Sequence, residues 1–294
     1  MKVLFCTDGS KISYNALGNF SMWARDAIID VICVIDWSFL PENVRVEASG
    51  FSNTCANIAD DILLYTKNEI ENLGMLCGET FKYCGSAVES ILEQSEKEDY
   101  DVILLGSHGK KGIQKWLGSV SREIAYGERL TTYISKQENS GVNILFATDG
   151  TDSANLAITK ALENLNLENK QIFLCTVNET ADMLFLNGNL DSNWIMSIEE
   201  KQQNFSMEAL KDLKERFKHK GLMTAEEVVL SGNPAQKILD YASAKNIDLI
   251  VTGSRGKNKM QDFLLGSVSK KILENAKCDV LIVKDDFKHK EKQE

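Results

Sequence analysis

The strongest constraint on this chain is that its pattern is written twice. "KVLFCTDGSKIS" at residues 2–13 answers to "NILFATDGTDSA" at 143–154, and "VICVID" at 31–36 answers to "FLCTVN" at 173–178. Further along, "YCGSAVESIL" (83–92) pairs with "LSGNPAQKIL" (230–239), "YDVILLGSHG" (100–109) with "IDLIVTGSRG" (247–256), and "LGSVSREI" with "LGSVSKKI". Matches in one order over nearly the whole length, with a period far longer than a solenoid unit, imply two copies of a complete domain. The 294 residues suffice, because roughly 150 residues apiece can close a core. The polar stretch Gln137-Glu138-Asn139-Ser140-Gly141 marks the boundary. The expected units are therefore 1–138 and 142–285, followed by a charged tail at 286–294.

Each copy alternates short β-rich runs with helical patterns. Ala16, Phe20, Trp23, Ala24 and Ala27 fall on one helical face. Ile58, Ile62 and Tyr65 open a second helix, matched in the other copy by Phe205, Ala209, Leu213 and Phe217. The strands are continuous apolar runs, which predicts burial on both faces and a parallel sheet with helices on either side. "CDVLIV" gives the second copy a clear last strand at 279–284; its counterpart "RLTTYISKQ" is weaker and partly polar, a degenerate version.

Composition narrows the function classes. The net charge is −10 and the pI about 5.0, so the whole chain lacks the basic footprint of a nucleic-acid binder. Seven cysteines show no CxxC pair and no metal-type spacing. Cys6, Cys33 and Cys175 lie in apolar runs, where a thiol acts as a small hydrophobe in a reducing compartment. No run approaches the length of a membrane span and the N-terminal apolar run is too short for a signal peptide, so a cytoplasmic location is expected. Basic residues do gather locally: Lys110, Lys111 and Lys115, then Arg255, Lys257 and Lys259, stand inside two glycine-serine loops. Such a cluster fits either a solvated loop face or a small anion.

Those loops carry the chemistry. In an open parallel sheet, ligands bind outside the carboxyl ends of the strands. Glycines let backbone N–H groups close around an anion, and a helix N-terminus adds free donors and the positive end of its dipole. A phosphate chain suits these parts. The spacing Gly253-x2-Gly256-x9-Gly266-Ser267 resembles the G-2x-G-9x-G-(S/T) nucleotide motif of the universal stress protein family. Asp149 after the first strand, "GNPAQKIL" after the third and "CDVLIV" at the end match the same family in order. The resemblance spans both copies.

The resemblance implies two Rossmann-like (adenine nucleotide alpha hydrolase-like) domains, each a five-stranded parallel sheet, with a regulatory role in the stress response. It implies ATP as ligand, or its ADP or AMP form, with Mg2+ or Mn2+ bridging phosphate oxygens. By position, Gly253, Ser254, Gly256, Gly266, Ser267, Val268 and Ser269 would meet phosphates and ribose. Asp149 would accept from a ribose hydroxyl, and Thr176 would offer backbone groups to the adenine edge. The first copy supplies Asp8, Val34, Gly106, Ser107, Gly109, Gly118, Ser119, Val120 and Ser121, but its loop, Gly106-x2-Gly109-x8-Gly118-Ser119, is one residue shorter. That residue spans up to ~3.5 Å and would displace a phosphate contact. His108 reads as a loop residue. Family members pair through their last strands, so the copies are expected to form an intramolecular pseudo-dimer, with a homodimer of the whole chain as a further step.

Two other functions compete. An ATP-pyrophosphatase or ligase would use the same sheet end, but its SGGxDS loop is replaced here by "TDGTDSA" and "TDGSKIS", and no Walker GxxxxGK[ST] is present. Slow ATP hydrolysis is compatible with the motif. A ligand-free interaction scaffold is the third reading.

Overall fold

The computed structural model describes residues 1–24, 26–36, 52–108, 117–127, 130–179, 192–254 and 265–284, with side chains from 56 and 196 onward in the two helices that start at 52 and 192. The first half runs β1 (Lys2–Thr7), α1 (Lys11–Ser21), β2 (Ile28–Asp36), α2 (Ser52–Asn72), β3 (Leu76–Gly85), α3 (Ala87–Lys97), β4 (Val102–Gly106), α4 (Ser119–Gly127) and β5 (Thr131–Ser135). The second repeats it: β6 (Asn143–Thr148), α5 (Asp152–Asn164), β7 (Gln171–Asn178), α6 (Ser192–His219), β8 (Thr224–Ser231), α7 (Pro234–Ala244), β9 (Leu249–Gly253), α8 (Ser267–Asn275) and β10 (Asp279–Val283).

Within each half all strands are parallel, in the orders β3-β2-β1-β4-β5 and β8-β7-β6-β9-β10. The halves then join. Val280, Leu281 and Ile282 of β10 pair antiparallel with Ile134, Tyr133 and Thr132 of β5, making one ten-stranded sheet. Successive residues of a strand point to opposite faces, so doubly buried runs such as Val3-Leu4-Phe5 feed two cores. One contains Phe5, Phe20, Phe146 and Phe217 and lies under α1, α2, α5 and α6. The other contains Leu4, Ile103, Ile250 and Ile282 and lies under α3, α4, α7 and α8. Both run through the two halves without a break.

Four expectations change in detail. Helix α1 stops at Ser21; Trp23, Ala24 and Ala27 are buried as expected, but in the turn into β2. On α2 the inward face is Ala59, Leu63, Thr66 and Ile70, whereas Ile58 and Tyr65 are 46% and 51% exposed. On α6, Ser206, Leu210, Leu213 and Phe217 are buried while Phe205 is 48% exposed. Apolar residues on the flanks of both helices shifted the apparent stripe by one position. The registers also correct the repeat alignment: Thr7 pairs with Cys33, but Thr148 pairs with Thr176. Cys33 is therefore the counterpart of Thr176, and Val34 that of Val177, with which it shares the opposite core. A one-residue slip reverses the face of every side chain.

Strand β5 is not degenerate. Its polar residues meet partners from the second half at a buried carboxylate. Asp279, fully shielded from solvent, accepts at Oδ2 from Tyr133 Oη (2.7 Å), Asn19 Nδ2 (2.9 Å) and Asn139 Nδ2 (3.0 Å), and at Oδ1 from the Lys136 backbone N–H (2.8 Å). Asn19 Nδ2 also reaches Ser135 Oγ at 3.0 Å. Nearby, Asp248 takes hydrogen bonds from Ser140 N and Oγ, Val142 N and Asn143 N. Burial works against the Asp248 charge, but these bonds outweigh it and hold the carboxyl below its ordinary value. The segment between the halves is pinned to the sheet.

Burial pushes the Asp279 carboxyl up to about 6 from 3.8, against the opposing pull of its hydrogen bonds. The group is easier to protonate folded than unfolded, so its ionisation costs the fold. The stability it contributes is full below the unfolded value and is lost as pH rises through the folded one. Its neighbours Lys136, lowered to about 8 by burial, and Tyr133, raised well above 10, titrate outside that window. In urea titrations, wild type should lose up to about 3 kcal/mol relative to Asp279→Asn between about pH 4 and about pH 7, most of it by pH 6. A gap between the two proteins that is constant with pH would refute this.

Candidate functional site

In each half the chain leaves the middle strand and its neighbour in opposite directions, opening a crevice at the carboxyl end of the sheet. In the second half β6, β7 and β9 bound it; in the first, β1, β2 and β4 do. Because β5 and β10 run antiparallel, the two crevices open on opposite edges of the ten-stranded sheet.

In the second half, Asp149 follows β6 and accepts from the Thr151 backbone N–H (3.1 Å) and Thr151 Oγ1 (2.6 Å), while Thr151 caps α5. Gly150 between them has φ +78°, and a Cβ there would stand 2.8 Å from Phe205 Cε1. The turn needs glycine on both counts. Thr176 is buried near the end of β7. Beyond it, Asn178 is held by Gln203 and Ser206 of α6, a cluster with no signal in the repeat motif. At the end of β9, Ser254 N donates to Val283 O (2.9 Å), and Gly266 N returns to Ser254 O (2.8 Å). The long loop is thus closed at its base and α8 begins beside β9. Ser269 Oγ, buried, donates to Gly253 O at 2.7 Å, whereas Ser267 is exposed.

The start of α8 differs from those of four other helices. Helices α1, α3, α5 and α7 begin with Ser10, Ser86, Thr151 and Asn233, each side chain accepting a first-turn N–H. Helix α8 begins at Gly266, with no side-chain cap. Its first-turn donors need an acceptor from elsewhere.

The first half repeats the arrangement. Ser10 N donates to Asp8 Oδ1 (3.0 Å), Ser107 N to Ser135 O (2.7 Å), Gly118 N to Ser107 O (2.7 Å) and Ser121 Oγ to Gly106 O (2.7 Å). A Cβ on Gly118 would lie 3.3 Å from Ser107 O, so glycine keeps this closure tight. The shorter loop closes on the same bond as the longer one, and Ser119 and Val120 begin α4 as Ser267 and Val268 begin α8. His108 is buried with Nδ1 3.0 Å from Ser107 Oγ. Gly109, Gly256 and the basic residues Lys110, Lys111, Lys115, Arg255, Lys257 and Lys259 lie outside the described residues. So does the tail from 285. Among the described residues no group of three His, Cys, Asp or Glu is placed to hold a metal ion, and no helix is long and apolar enough to cross a membrane.

The model of the universal stress protein family matches residues 1–127 and 142–284. This chain belongs to the universal stress protein family. Each half is one family unit. A universal stress protein of Methanocaldococcus jannaschii is 32% identical over 155 residues, which is 53% of this chain and 89% of that protein. Universal stress protein YxiE of Bacillus subtilis is 31% identical over 145 residues, 48% of this chain and 97% of its own length. A solved universal stress protein from Archaeoglobus fulgidus matches the two-unit fold, with a TM-score of 0.69 at 21% identity, covering 96% of this chain and 98% of that one.

The two serines of the α8 start should behave differently in this universal stress protein. Ser269→Ala removes a buried bond to Gly253 O and should cost about 1 kcal/mol of stability, as should Ser121→Ala in the first half. Ser267→Ala, exposed, should leave stability within about 0.5 kcal/mol. Urea unfolding midpoints check this, and equal losses for Ser267 and Ser269 would contradict it.

Proposed function

We propose that this protein binds an adenine nucleotide, ATP first, at the carboxyl end of each half, as a regulatory ligand of the stress-response type. The observation that carries this reading is the start of α8. A helix N-terminus capped by glycine and tied to the end of β9, at the same carboxyl end of the sheet as Asp149 and Thr176, offers donors and dipole to an anion. In the second half Gly253, Ser254, Gly256, Gly266, Ser267, Val268 and Ser269 would cradle the phosphates and ribose, with Asp149 on a ribose hydroxyl. Gly106, Ser107, Gly109, Gly118, Ser119, Val120, Ser121 and Asp8 would do so in the first, with Val34 offering backbone groups to the adenine edge at the end of β2. Ser269 and Ser121 act by fixing the helix start, since their hydroxyls are already donated to backbone carbonyls. A divalent ion would be carried chiefly by phosphate oxygens.

Gentle purification followed by denaturation should release adenine nucleotide, identified by mass. In nucleotide-free protein, ATP at ~100 times its dissociation constant should add about 2.7 kcal/mol to the folded state. Gly266→Val should abolish binding in the second half. Ser267→Ala should weaken it by about 10- to 150-fold, the loss of one hydrogen bond to a charged group. Absence of any shift at millimolar ATP, with or without magnesium, would refute the reading.

A further inference from the structure

Two lysines cross the junction between the halves in opposite directions. Lys136 follows β5, and its Nζ donates to Leu273 O in the last turn of α8 at 2.6 Å. Lys284 follows β10, and its Nζ donates to Ala125 O in the last turn of α4 at 2.9 Å. Each lysine caps the last helix of the other half. Their backbones are seated in matching ways: Lys136 N donates to Asp279 Oδ1 (2.8 Å) and Lys284 N to Thr131 Oγ1 (3.4 Å). Lys284 is 8% exposed, and burial lowers the Lys136 ammonium to about 8. The capped helices also touch, through a hydrogen bond from Tyr126 Oη to Glu274 and through Lys270 Nζ, 5.0 Å from the centre of the Tyr126 ring.

The residue before each lysine anchors a candidate nucleotide loop. Ser135 O accepts from Ser107 N, and Val283 O accepts from Ser254 N. The helix that each lysine caps starts at the other half's loop, at Ser267 or at Ser119. The connections therefore close a ring. The Ser107 loop leads through Ser135 and Lys136 to the far end of α8, whose near end is the second site. The Ser254 loop leads through Val283 and Lys284 to the far end of α4, whose near end is the first site.

We propose that the two nucleotide sites are positively coupled across the sheet through Lys136 and Lys284. This rests on the nucleotide reading above. Helices α4 and α8 have nine residues each, so an anion at one end and an ammonium at the other act on one short dipole. Phosphate at Gly266-Ser267 orders α8 and firms its carbonyl end, which fixes Lys136 and the strand end that anchors the Ser107 loop. The second nucleotide then meets an anchor at Ser107 and Ser135 that is already fixed, and by linkage the effect is mutual.

The test is calorimetric titration of nucleotide-free protein with ATP, on wild type, Gly118→Val, Gly266→Val and the Lys136→Met/Lys284→Met double variant, with folds checked by circular dichroism. Wild type should bind two equivalents with a Hill coefficient above 1, the second about fivefold or more tighter than the single-site variants bind theirs. The lysine variant should bind two equivalents independently. Where a valine or methionine variant does not fold, the wild-type isotherm decides alone, and Lys136→Arg, which keeps a donor, should retain cooperativity. No binding to any protein overturns the nucleotide reading, and the coupling with it. One equivalent, independent sites or a weaker second step in wild type overturns the coupling alone. Cooperativity that survives in the lysine variant overturns the lysine route.

Discussion

Everything in this molecule is arranged around the antiparallel pairing of β5 with β10. Each half, taken alone, would end in a short strand with its outer edge open, and such an edge invites association. Joined, the two strands cover each other and turn two five-stranded sheets into one of ten. The remaining edges are β3 and β8, which are more exposed and carry charge. Lys82 on β3 pairs with Asp60 at 2.7 Å, and Glu227 on β8 pairs with Lys214 at 2.9 Å. Such charges discourage further strand addition at either end.

The pairing also accounts for an apparent extravagance, a carboxylate with no exposure in the middle of the sheet. Asp279 sits at the start of β10 where Asn19, Tyr133, Lys136 and Asn139 converge, three of them from the first half. An aspartate without those donors would be intolerable there. With them, it specifies which residues of the first half face which residues of the second. Asp248 performs the neighbouring task for residues 140–143. The bases of the two glycine-serine loops, at Ser107 and Ser254, inherit this precision, because both are anchored on carbonyls at the ends of the junction strands.

Much of this was legible in the residues. The repeat, the doubly buried strands and the glycine-serine loops at strand ends follow from local pattern, because each depends on neighbours within one copy. What escaped depends on the other copy or on register. Thr132, Tyr133 and Ser135 looked like a failing strand because their partners, Asp279 and Asn19, come from remote parts of the chain. Val34 was matched with Thr176 because "VICVID" and "FLCTVN" align without a gap, and similarity cannot sense the slip that puts Cys33 there. The α2 and α6 faces were misread because Tyr65 packs edge-on against Tyr14 and Phe205 lies over Gly150, half-exposed roles that apolar periodicity counts as core. The anchoring of the loops on Ser135 and Val283 uses backbone carbonyls alone, so no side chain announces it.

Strands β5 and β10 form the interior of a single sheet. Residue-resolved amide hydrogen exchange tests it directly. The amides of the β5–β10 ladder, around Tyr133, Ile134, Val280 and Ile282, should open only with global unfolding, as slowly as those of Phe5 in β1 and Phe146 in β6. Exchange in β5 and β10 that is fast and like that of the outer strand β3, while β1 and β6 stay protected, would mean two separate five-stranded sheets and would contradict the account.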